Sequence, residues 1–188
     1  MVLNLLKEKL NACTKTIPIK DCVISSVSLE KSKDFLEKYH IKGCSNFDFA
    51  YGVYYKNELL MIMTFKTKEE GGFELTRYCK KGVYVSGGFQ KLLEYSIMNL
   101  KEDIFVFLDR RYWDIKNNFT ENGFYIESFC ELEYFYSNNR EIKNGKEFEE
   151  KLKESNLYNN NLTLKENMEK AGYFRIYDCG YFKCVYKY

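Results

Sequence analysis

The spacing of apolar residues along the first part of the chain alternates between that of a helix and that of a strand. Apolar residues recur at helical spacing over 2–10, and an extended apolar run follows over 22–27. Ser28 is a residue type that caps helix N-termini, and an amphipathic stretch over 30–39 follows it. Gly43 is a typical terminator beyond that stretch. The pattern predicts a short helix, a strand and a capped helix in this order.

The middle of the chain has the pattern of an α/β unit. Two apolar runs, 49–55 and 59–65, are separated by three polar residues and predict a β-hairpin. The segment 73–79 alternates apolar and polar residues as a half-buried strand does. Gly87-Gly88 then opens a helical pattern that runs to Leu100. Strand, glycine turn and helix therefore follow one another directly.

A continuous apolar run over 104–108 predicts a central strand that is buried on both faces. Such strands are typical of parallel sheets, so we expect this one to run parallel to the strand at 73–79. Asp109, Arg110 and Arg111 follow it directly. Because ligands of open α/β sheets bind at the carboxyl ends of strands, these three residues are candidates for holding a substrate phosphate, a carboxylate or DNA. A structural ion pair explains them equally well.

The last part of the chain predicts shorter elements. In chain order they are a short helix at 114–121 ended by Asn122-Gly123, a long aromatic strand at 125–136, and a charged helix or exposed connection at 140–155. A helix behind the capping box Thr163-x-x-Glu166 follows, and then a strand or hairpin at 173–186 that is interrupted at Asp178-Cys-Gly180. No repeat, low-complexity tract or linker interrupts the sequence. We therefore expect one domain over residues 1–188, with an N-terminal helix and lead-in over 1–22.

Composition indicates a globular protein of a reducing compartment. The 188 residues are 45% hydrophobic, which is enough for a sizeable core, and the net charge of +2 gives no global attraction for nucleic acid. Seven cysteines are scattered without a Cys-x-x-Cys pair, which indicates buried thiols. No run approaches the roughly 18 to 20 apolar residues of a membrane span, and the N-terminus lacks the apolar core of a signal peptide. We expect a cytoplasmic protein without membrane contact.

Eight short motifs stand in a specific order along the chain. They are Glu37-Lys-Tyr-His-Ile-Lys-Gly43, Leu59 to Phe65, Glu74 to Cys79, Gly87-Gly-Phe-Gln-Lys-Leu-Leu93, Asp109-Arg-Arg111, Asn122-Gly-Phe124, Tyr134-Phe-Tyr136 and Arg175-Ile-Tyr-Asp-Cys-Gly180. In this order they resemble the acetyltransferase-like (GNAT-like) domain of phage homing-endonuclease proteins, over about residues 23–187. The resemblance implies an α/β (α+β) fold with a mixed central sheet and helices on both faces.

In a GNAT-like domain a strand, a glycine-containing turn and a helix cradle the pyrophosphate of acetyl-CoA. The resemblance places this turn at Val83, Val85, Ser86, Gly87 and Gly88, and it implies acetyl-CoA or another acyl-CoA as the acyl donor, with no metal. Glycines let backbone N–H groups approach a phosphate closely, and a helix N-terminus adds partial positive charge. The alternative is that the two glycines only make a tight turn or allow close packing.

Acyl transfer to an amine needs a base, an oxyanion donor and an acid for the leaving thiolate. The resemblance makes Glu74 the candidate base, whereas strand alternation alone makes it a solvent-facing side chain. Phe119 stands where the family commonly carries a tyrosine acid, and Phe89 stands where a second small residue usually follows the principal glycine, Gly87. Tyr112 is therefore the candidate acid, and core packing is the alternative interpretation of its ring.

Other reactive residue types do not form a site in the sequence. His40 is the only histidine, which excludes a multi-histidine metal centre, and we expect a surface or capping role for it. Asp178 and Cys179 lack a second histidine with which to build a nucleophilic triad, so we expect them to form a turn. No compact cluster of carboxylates and histidines supports a two-metal nuclease.

Two functions from different classes remain open. The first is an acyl-CoA-binding domain that transfers an acetyl or other acyl group to the amine of a small molecule or protein. The alternative is a noncatalytic nucleic-acid-binding module that positions DNA for a phage nuclease. The alternative rests on cations and aromatic residues around the glycine turn: Lys66, Lys68, Arg77, Lys80, Lys81 and Lys91 with Tyr78, Tyr84 and Phe89. The oligomeric state is left open.

Overall fold

The computed structural model describes residues 16–188, so the helix predicted over 2–10 lies outside the described residues. By its internal contacts the chain divides into two compact units. The first unit comprises the described residues up to Phe107 together with Asp114–Ser128 and Lys183–Tyr188, and the second comprises Leu108–Trp113 and Phe129–Phe182. The single domain expected over 1–188 stays a prediction.

Strands and helices alternate along the described chain. The strands are β1 (Thr16–Pro18), β2 (Val23–Ser26), β3 (Phe49–Tyr55), β4 (Glu58–Thr67), β5 (Phe73–Lys80), β6 (Tyr84–Ser86), β7 (Ile104–Asp109), β8 (Tyr125–Phe129), β9 (Tyr134–Ser137), β10 (Ile142–Asn144), β11 (Phe174–Tyr177) and β12 (Tyr181–Tyr186). The α-helices are α1 (Leu29–Tyr39), α2 (Gly88–Leu100), α3 (Gly145–Lys153) and α4 (Leu164–Lys170). Short 3-10 turns lie at Ile19–Asp21 and Thr120–Asn122. No helix within residues 16–188 has both the length and the hydropathy needed to span a bilayer.

A seven-stranded mixed sheet, in the order β2-β3-β4-β5-β7-β12-β8, forms the centre of the fold. Its first four strands pair antiparallel, and β5 pairs parallel with β7 as the sequence predicted. A separate parallel pair joins β1 to β6. In the sheet, β12 lies between β7 and β8. In the chain, however, β8 comes before β12, and the segment with β9 to β11 separates the two strands.

The helices of the first unit pack on opposite faces of this sheet. Neighbouring strand residues point to opposite faces, and Ala50 and Tyr51 are neighbours in β3. Ala50 belongs to the buried cluster that contains Phe35 and Leu36 of α1. The ring of Tyr51 instead contacts the ring of Tyr95 in α2, with centroids 5.5 Å apart. The mixed α/β fold with helices on both faces is therefore as predicted.

The helix caps and the hairpin predicted from short sequence patterns are present in the structure. The hydroxyl of Ser28 accepts a hydrogen bond from the Lys31 amide at the start of α1. Thr163 and Glu166 form a complete capping box at the start of α4. The β3–β4 hairpin turns at Lys56 and Asn57, whose φ angles of 49° and 66° are those of a type I′ turn. The hairpin thus forms without glycine.

The second unit contains a three-stranded antiparallel sheet in the order β10-β9-β11. Helices α3 and α4 cover one of its faces with Leu152 and Met168, which pack against the ring of Tyr136. The segment 130–181 begins and ends at nearly the same place, because the Cys130 amide donates to the Tyr181 carbonyl at 2.9 Å. This segment is therefore an excursion of the chain between β8 and β12.

Three predicted elements differ from the structure. The strand predicted over 125–136 is broken into β8 and β9, which belong to different sheets. The element predicted over 173–186 is interrupted at 178–180 as predicted, but its two parts, β11 and β12, belong to different sheets and do not form a hairpin. The helix predicted over 114–121 is reduced to the 3-10 turn at Thr120–Asn122. Here the Asn117 side chain bonds the backbone of Asp114, Phe119 and Thr120, and such bonds compete with helical ones.

Candidate functional site

The start of α2 is an exposed helix end whose amides face no side-chain cap. Gly87 is the N-cap residue, and its backbone is left-handed, with φ 74° and ψ 3°. No side chain caps it, and the first turn of this described helix carries no acidic residue. The first amides of a helix lack intrahelical acceptors, and the helix dipole gives this end partial positive charge. The end of α2 can therefore bind an anion through backbone N–H groups.

Gly88 fixes how closely this helix end approaches the sheet. A Cβ atom at Gly88 would lie 2.7 Å from Met61 Sδ and 2.8 Å from Val85 Cβ, closer than real Cβ contacts come. Both neighbours are buried, Met61 at 1% exposure and Val85 at 5%. A Cβ atom at Gly88 would have to displace these neighbours, so close packing explains Gly88, whereas the positive φ favours glycine at position 87.

The packing of Gly88 changes how the turn matches the family pattern. Matching the principal small residue to Ser86 makes Gly88 the second small residue, two positions later. Phe89 then has a separate role, because its ring packs edge to face against Tyr78 and Phe119 with centroids 5.1 Å and 5.0 Å away. The bulky Phe89 therefore belongs to an aromatic cluster of the first unit.

Strands β5 and β7 part from one another shortly after they begin. Their parallel pairing runs only from Phe73 opposite Ile104 to Leu75 opposite Val106. The register between β4 and β5 shifts at the next residue, Thr76, which is thereby left as a β-bulge. Beyond the bulge, β5 presents backbone groups that β7 does not pair. A ligand can bind along this side of β5.

Side chains of β4 and of β5 itself hold the bulge in place. The Thr76 and Thr64 hydroxyls hydrogen-bond at 2.9 Å. The Arg77 guanidinium donates to the Thr76 carbonyl at 2.7 Å and to the Gly43 carbonyl at 3.2 Å. Arg77 is therefore a structural residue that ties the loop after α1 to the bulge, a role that the sequence did not indicate.

Glu74 is the middle residue of the short β5–β7 pairing, one residue before that pairing ends and two residues before the bulge. It pairs with Phe105 in β7 and with Lys66 in β4, and its side chain is half-buried. The ammonium of Lys68 lies 3.3 Å from its carboxylate. The position combines a carboxylate with partial burial close to the end of the β5–β7 pairing, which suits a base.

Neither Phe119 nor Tyr112 brings an acid to the first unit. Phe119 is 1% exposed and packs between Phe89 and Phe124, and a phenyl ring has no proton to donate. Tyr112 belongs to the second unit, where its amide donates to the Asp109 carbonyl at 3.0 Å. Its role as an acid stays a prediction. Sequence reasoning placed Tyr78 only among DNA-contacting residues, yet it brings a phenol to the aromatic cluster through its contact with Phe89.

Asp109, Arg110 and Arg111 form a local arrangement in the second unit. Arg111 donates to both oxygens of the largely buried Asp109 carboxylate, with Nη2 to Oδ2 at 2.6 Å, and this bond raises the pKa of the guanidinium. Asp109 and Arg111 are therefore a bidentate structural ion pair. The guanidinium of Arg110 stacks over the rings of Phe129 and Phe182 at 6.0 Å and 5.6 Å. The role predicted for Asp109, Arg110 and Arg111, binding a substrate phosphate, a carboxylate or DNA, stays a prediction.

The remaining reactive residue types have structural roles. Burial, Arg77 and Lys42 together lower the pKa of His40 to about 4, and its Nδ1 accepts the Lys42 amide at 3.1 Å. The Asp178 carboxylate accepts the amides of Glu133 and Gly180, each at 2.9 Å, as a turn residue does. Within the described range 16–188, no group of three or more histidine, cysteine or carboxylate side chains could hold a metal ion.

Most of the cations proposed to contact DNA form ion pairs or hydrogen bonds with other groups of the chain. Lys68 pairs with Glu74, Lys81 with Glu58 and Lys91 with Glu94. Arg77 bonds two backbone carbonyls. These contacts reduce the positive charge that this region offers to a phosphate backbone.

Three solved structures share the architecture of this chain. An IAA acetyltransferase from Bacillus cereus is 12% identical and gives a TM-score of 0.55, with 89% of this chain and 99% of that chain covered. A GNAT family acetyltransferase from Elizabethkingia anophelis with acetyl-CoA bound is 11% identical, with a TM-score of 0.50 and coverage of 89% and 99%. The ribosomal-protein-S18-alanine N-acetyltransferase from Escherichia coli is 10% identical, with a TM-score of 0.50 and coverage of 88% and 93%.

At such low identity the comparisons establish the fold. No protein-family model and no curated protein matches the chain. The fold is that of the GNAT acetyltransferases, which confirms the fold expected from the ordered motifs. The association with phage homing endonucleases stays a prediction.

Proposed function

We propose that this chain, which has the fold of the GNAT acetyltransferases, binds acyl-CoA and transfers its acyl group to an amine. The observation that carries the proposal is the uncapped, glycine-formed start of α2, which packs against Met61 of β4, while Met61 pairs with Lys80 at the far end of the stretch of β5 that β7 does not pair. The shared fold supports it, since one structure with this fold has acetyl-CoA bound. The acceptor is a small-molecule or protein amine.

The pyrophosphate of acyl-CoA suits the end of α2. Two neighbouring phosphates carry negative charge and many acceptor oxygens, which match a row of backbone donors at a positive helix end. Ser86, Gly87 and Gly88 supply these donors, and the exposed Ser86 hydroxyl adds another. Val85 is buried and anchors the turn to the core, while Val83 lies at its beginning.

The unpaired side of β5 suits the acyl arm. Backbone N–H groups beyond the bulge at Thr76 can donate to the thioester carbonyl, where negative charge develops during attack. Bound acyl-CoA supplies the thioester, at whose carbonyl carbon a C–N bond to the amine forms as the C–S bond breaks. Glu74 accepts the proton that the amine loses, directly or through one water.

A second proton must reach the departing thiolate. Tyr112 is the predicted donor, and Tyr78 is the donor that the first unit offers, since its phenol belongs to the same aromatic cluster as Phe89 and Phe119. The products are an amide and CoA with a neutral thiol. This reaction requires no metal.

Acetyl-CoA binding tests the pyrophosphate site. We expect Gly87→Asn to preserve the fold, because asparagine tolerates left-handed backbone, and to place an amide oxygen on the helix amides that the phosphates need. Isothermal titration calorimetry should show a loss of at least about tenfold in acetyl-CoA affinity. The matched control is Gly172→Asn, at φ 81° in open space, which should bind like the wild type. Wild-type affinity in Gly87→Asn would refute the assignment.

Turnover tests the base separately. Glu74→Gln keeps the shape of the side chain but removes its basicity, so it should lower acyl transfer by about 100-fold or more with acetyl-CoA affinity unchanged. The assay follows acetyl transfer to a panel of primary amines by mass spectrometry, with Glu69→Gln in the neighbouring exposed loop as control. If Glu74→Gln turns over like the control, Glu74 is not the base.

The DNA-binding alternative has less support. Four of its six cations contact carboxylates or carbonyls of the chain itself. A phosphate-binding face requires affinity for DNA that falls steeply with salt, so DNA affinity that is salt-independent would exclude it.

A further inference from the structure

The strand β11 forms an open edge of the small sheet in the second unit. In the described chain its hydrogen-bonded neighbour is β9, at the centre of the order β10-β9-β11. All four of its residues are exposed, with Phe174 at 60%, Ile176 at 41% and Tyr177 at 59%. An exposed strand edge offers a row of backbone donors and acceptors to another strand.

The edge at β11 is four residues long and carries no lysine, proline or bulge. Natural edges are commonly protected by such residues or bulges. The opposite edge, β10, is three residues long and carries Lys143, which is paired with Glu141. The one charge in β11 is Arg175, whose guanidinium bonds the Tyr136 hydroxyl at 2.7 Å and Glu149 at 2.9 Å. That charge is therefore committed to the sheet's own covered face.

The face of β11 that carries Phe174 and Ile176 is also uncharged. These residues lie opposite Ser137 and Phe135 in β9, and Asn144 and Ile142 of β10 lie on the same face. Helices α3 and α4 cover the other face, where Tyr136 is buried. The edge therefore presents apolar side chains next to free backbone groups, which a strand of the same character would match.

We infer that β11 pairs antiparallel with β11 of a second copy of this chain, about a two-fold axis at Ile176. The two small sheets then become one six-stranded sheet. A two-fold axis perpendicular to the sheet keeps the helix-covered faces of both copies on the same side. Each residue of β11 therefore lies opposite a residue whose side chain points to the same face of the sheet. Centring the axis on Arg175 would oppose two arginines, which is unfavourable. Centring it on Ile176 opposes two isoleucines and places Arg175 opposite Tyr177 of the second copy.

A foreign strand could also add to this edge, but the chain's own β11 already meets both requirements. It is an exposed edge without lysine or proline, and at the register centred on Ile176 it opposes isoleucine to isoleucine without bringing two charges together. The inference does not depend on acyl-CoA binding, so it can fail while the proposed function holds.

The test is the molar mass of the full chain by light scattering during size-exclusion chromatography, over a series of concentrations. We expect twice the chain mass, and Ile176→Lys should raise the dissociation constant of the dimer at least about tenfold, because it opposes two ammonium groups at the axis. Ile176 is partly exposed, so the substitution leaves the covered face intact. The control is Ile142→Lys on the same face but on β10, at 65% exposure, which should remain dimeric.

Hydrogen exchange locates the contact on the strand itself. The amides of Phe174–Tyr177 should exchange more slowly as the chain concentration rises, and Ile176→Lys should remove this dependence. A monomer at every concentration overturns the inference. Equal loss of the dimer in Ile176→Lys and Ile142→Lys would show packing between faces and would also overturn it, as would a dimer that neither substitution affects.

Discussion

The substitution Gly88→Ala tests the packing on which the anion-binding end of α2 depends. The added methyl would lie 2.7 Å from Met61 Sδ and 2.8 Å from Val85 Cβ, and both residues are buried. Overpacking of this kind costs about 1–3 kcal/mol, while replacing glycine in a helix recovers at most about 1 kcal/mol. We expect a net loss of about 1–2 kcal/mol, which lowers Tm by about 2–8 °C in a chain of this size.

The assay is urea and thermal unfolding followed by far-ultraviolet circular dichroism. A double-mutant cycle with Met61→Ala isolates the contact, because removing the Met61 side chain makes room for the methyl. The loss of unfolding free energy in the double variant should be smaller than the sum of the two single losses by at least about 1 kcal/mol. A Gly88→Ala variant as stable as the wild type, or losses that simply add, would refute the close approach of α2 to the sheet.

Two further predictions concern charge. His40, the single histidine, should titrate by NMR with a pKa of about 4. Because the unfolded chain takes up this proton near its ordinary pKa of about 6.5, stability should fall as the pH drops from 6.5 towards 4, and His40→Gln should lessen that fall. An NMR midpoint near 6.5 would contradict the burial of the ring. Arg111→Ala should destabilise the chain by about 1–2 kcal/mol in urea unfolding, because it removes the guanidinium that donates to both oxygens of the mostly buried Asp109 carboxylate. Arg111→Ala should cost little when Asp109→Asn is already present, and equal costs in both backgrounds would contradict the pair.

Local chemistry in the sequence predicted much of the first unit. Ser28, the hairpin at 49–65 and the strand, turn and helix around Gly87 each follow from contacts between residues near one another in the chain. The candidate pyrophosphate turn came instead from the resemblance of the ordered motifs, and its role stays a prediction. The role of Gly88 was only partly predicted, because the need for glycine there arises from Met61 on another strand.

What the sequence could not predict depends on distant partners. The run over 125–136 reads as one strand because its aromatic residues continue, yet Cys130 bonds Tyr181 and Glu133 bonds Asp178, so the chain turns away between them. The helix predicted at 114–121 failed because the Asn117 side chain takes up the backbone groups that a helix would use. The pairing of Asp109 with Arg111 was one of two open alternatives that composition alone could not separate.

The position of β12 between β7 and β8 sets an order of events in folding. During synthesis β7 and β8 emerge first, but they have no common partner until the chain has been made through Tyr186. Contacts of such long sequence separation form slowly, so both strands expose open edges while the excursion between β8 and β12 is being made. Fragments that stop before Tyr181 should therefore be prone to aggregation, even though most of the first unit is already present in them.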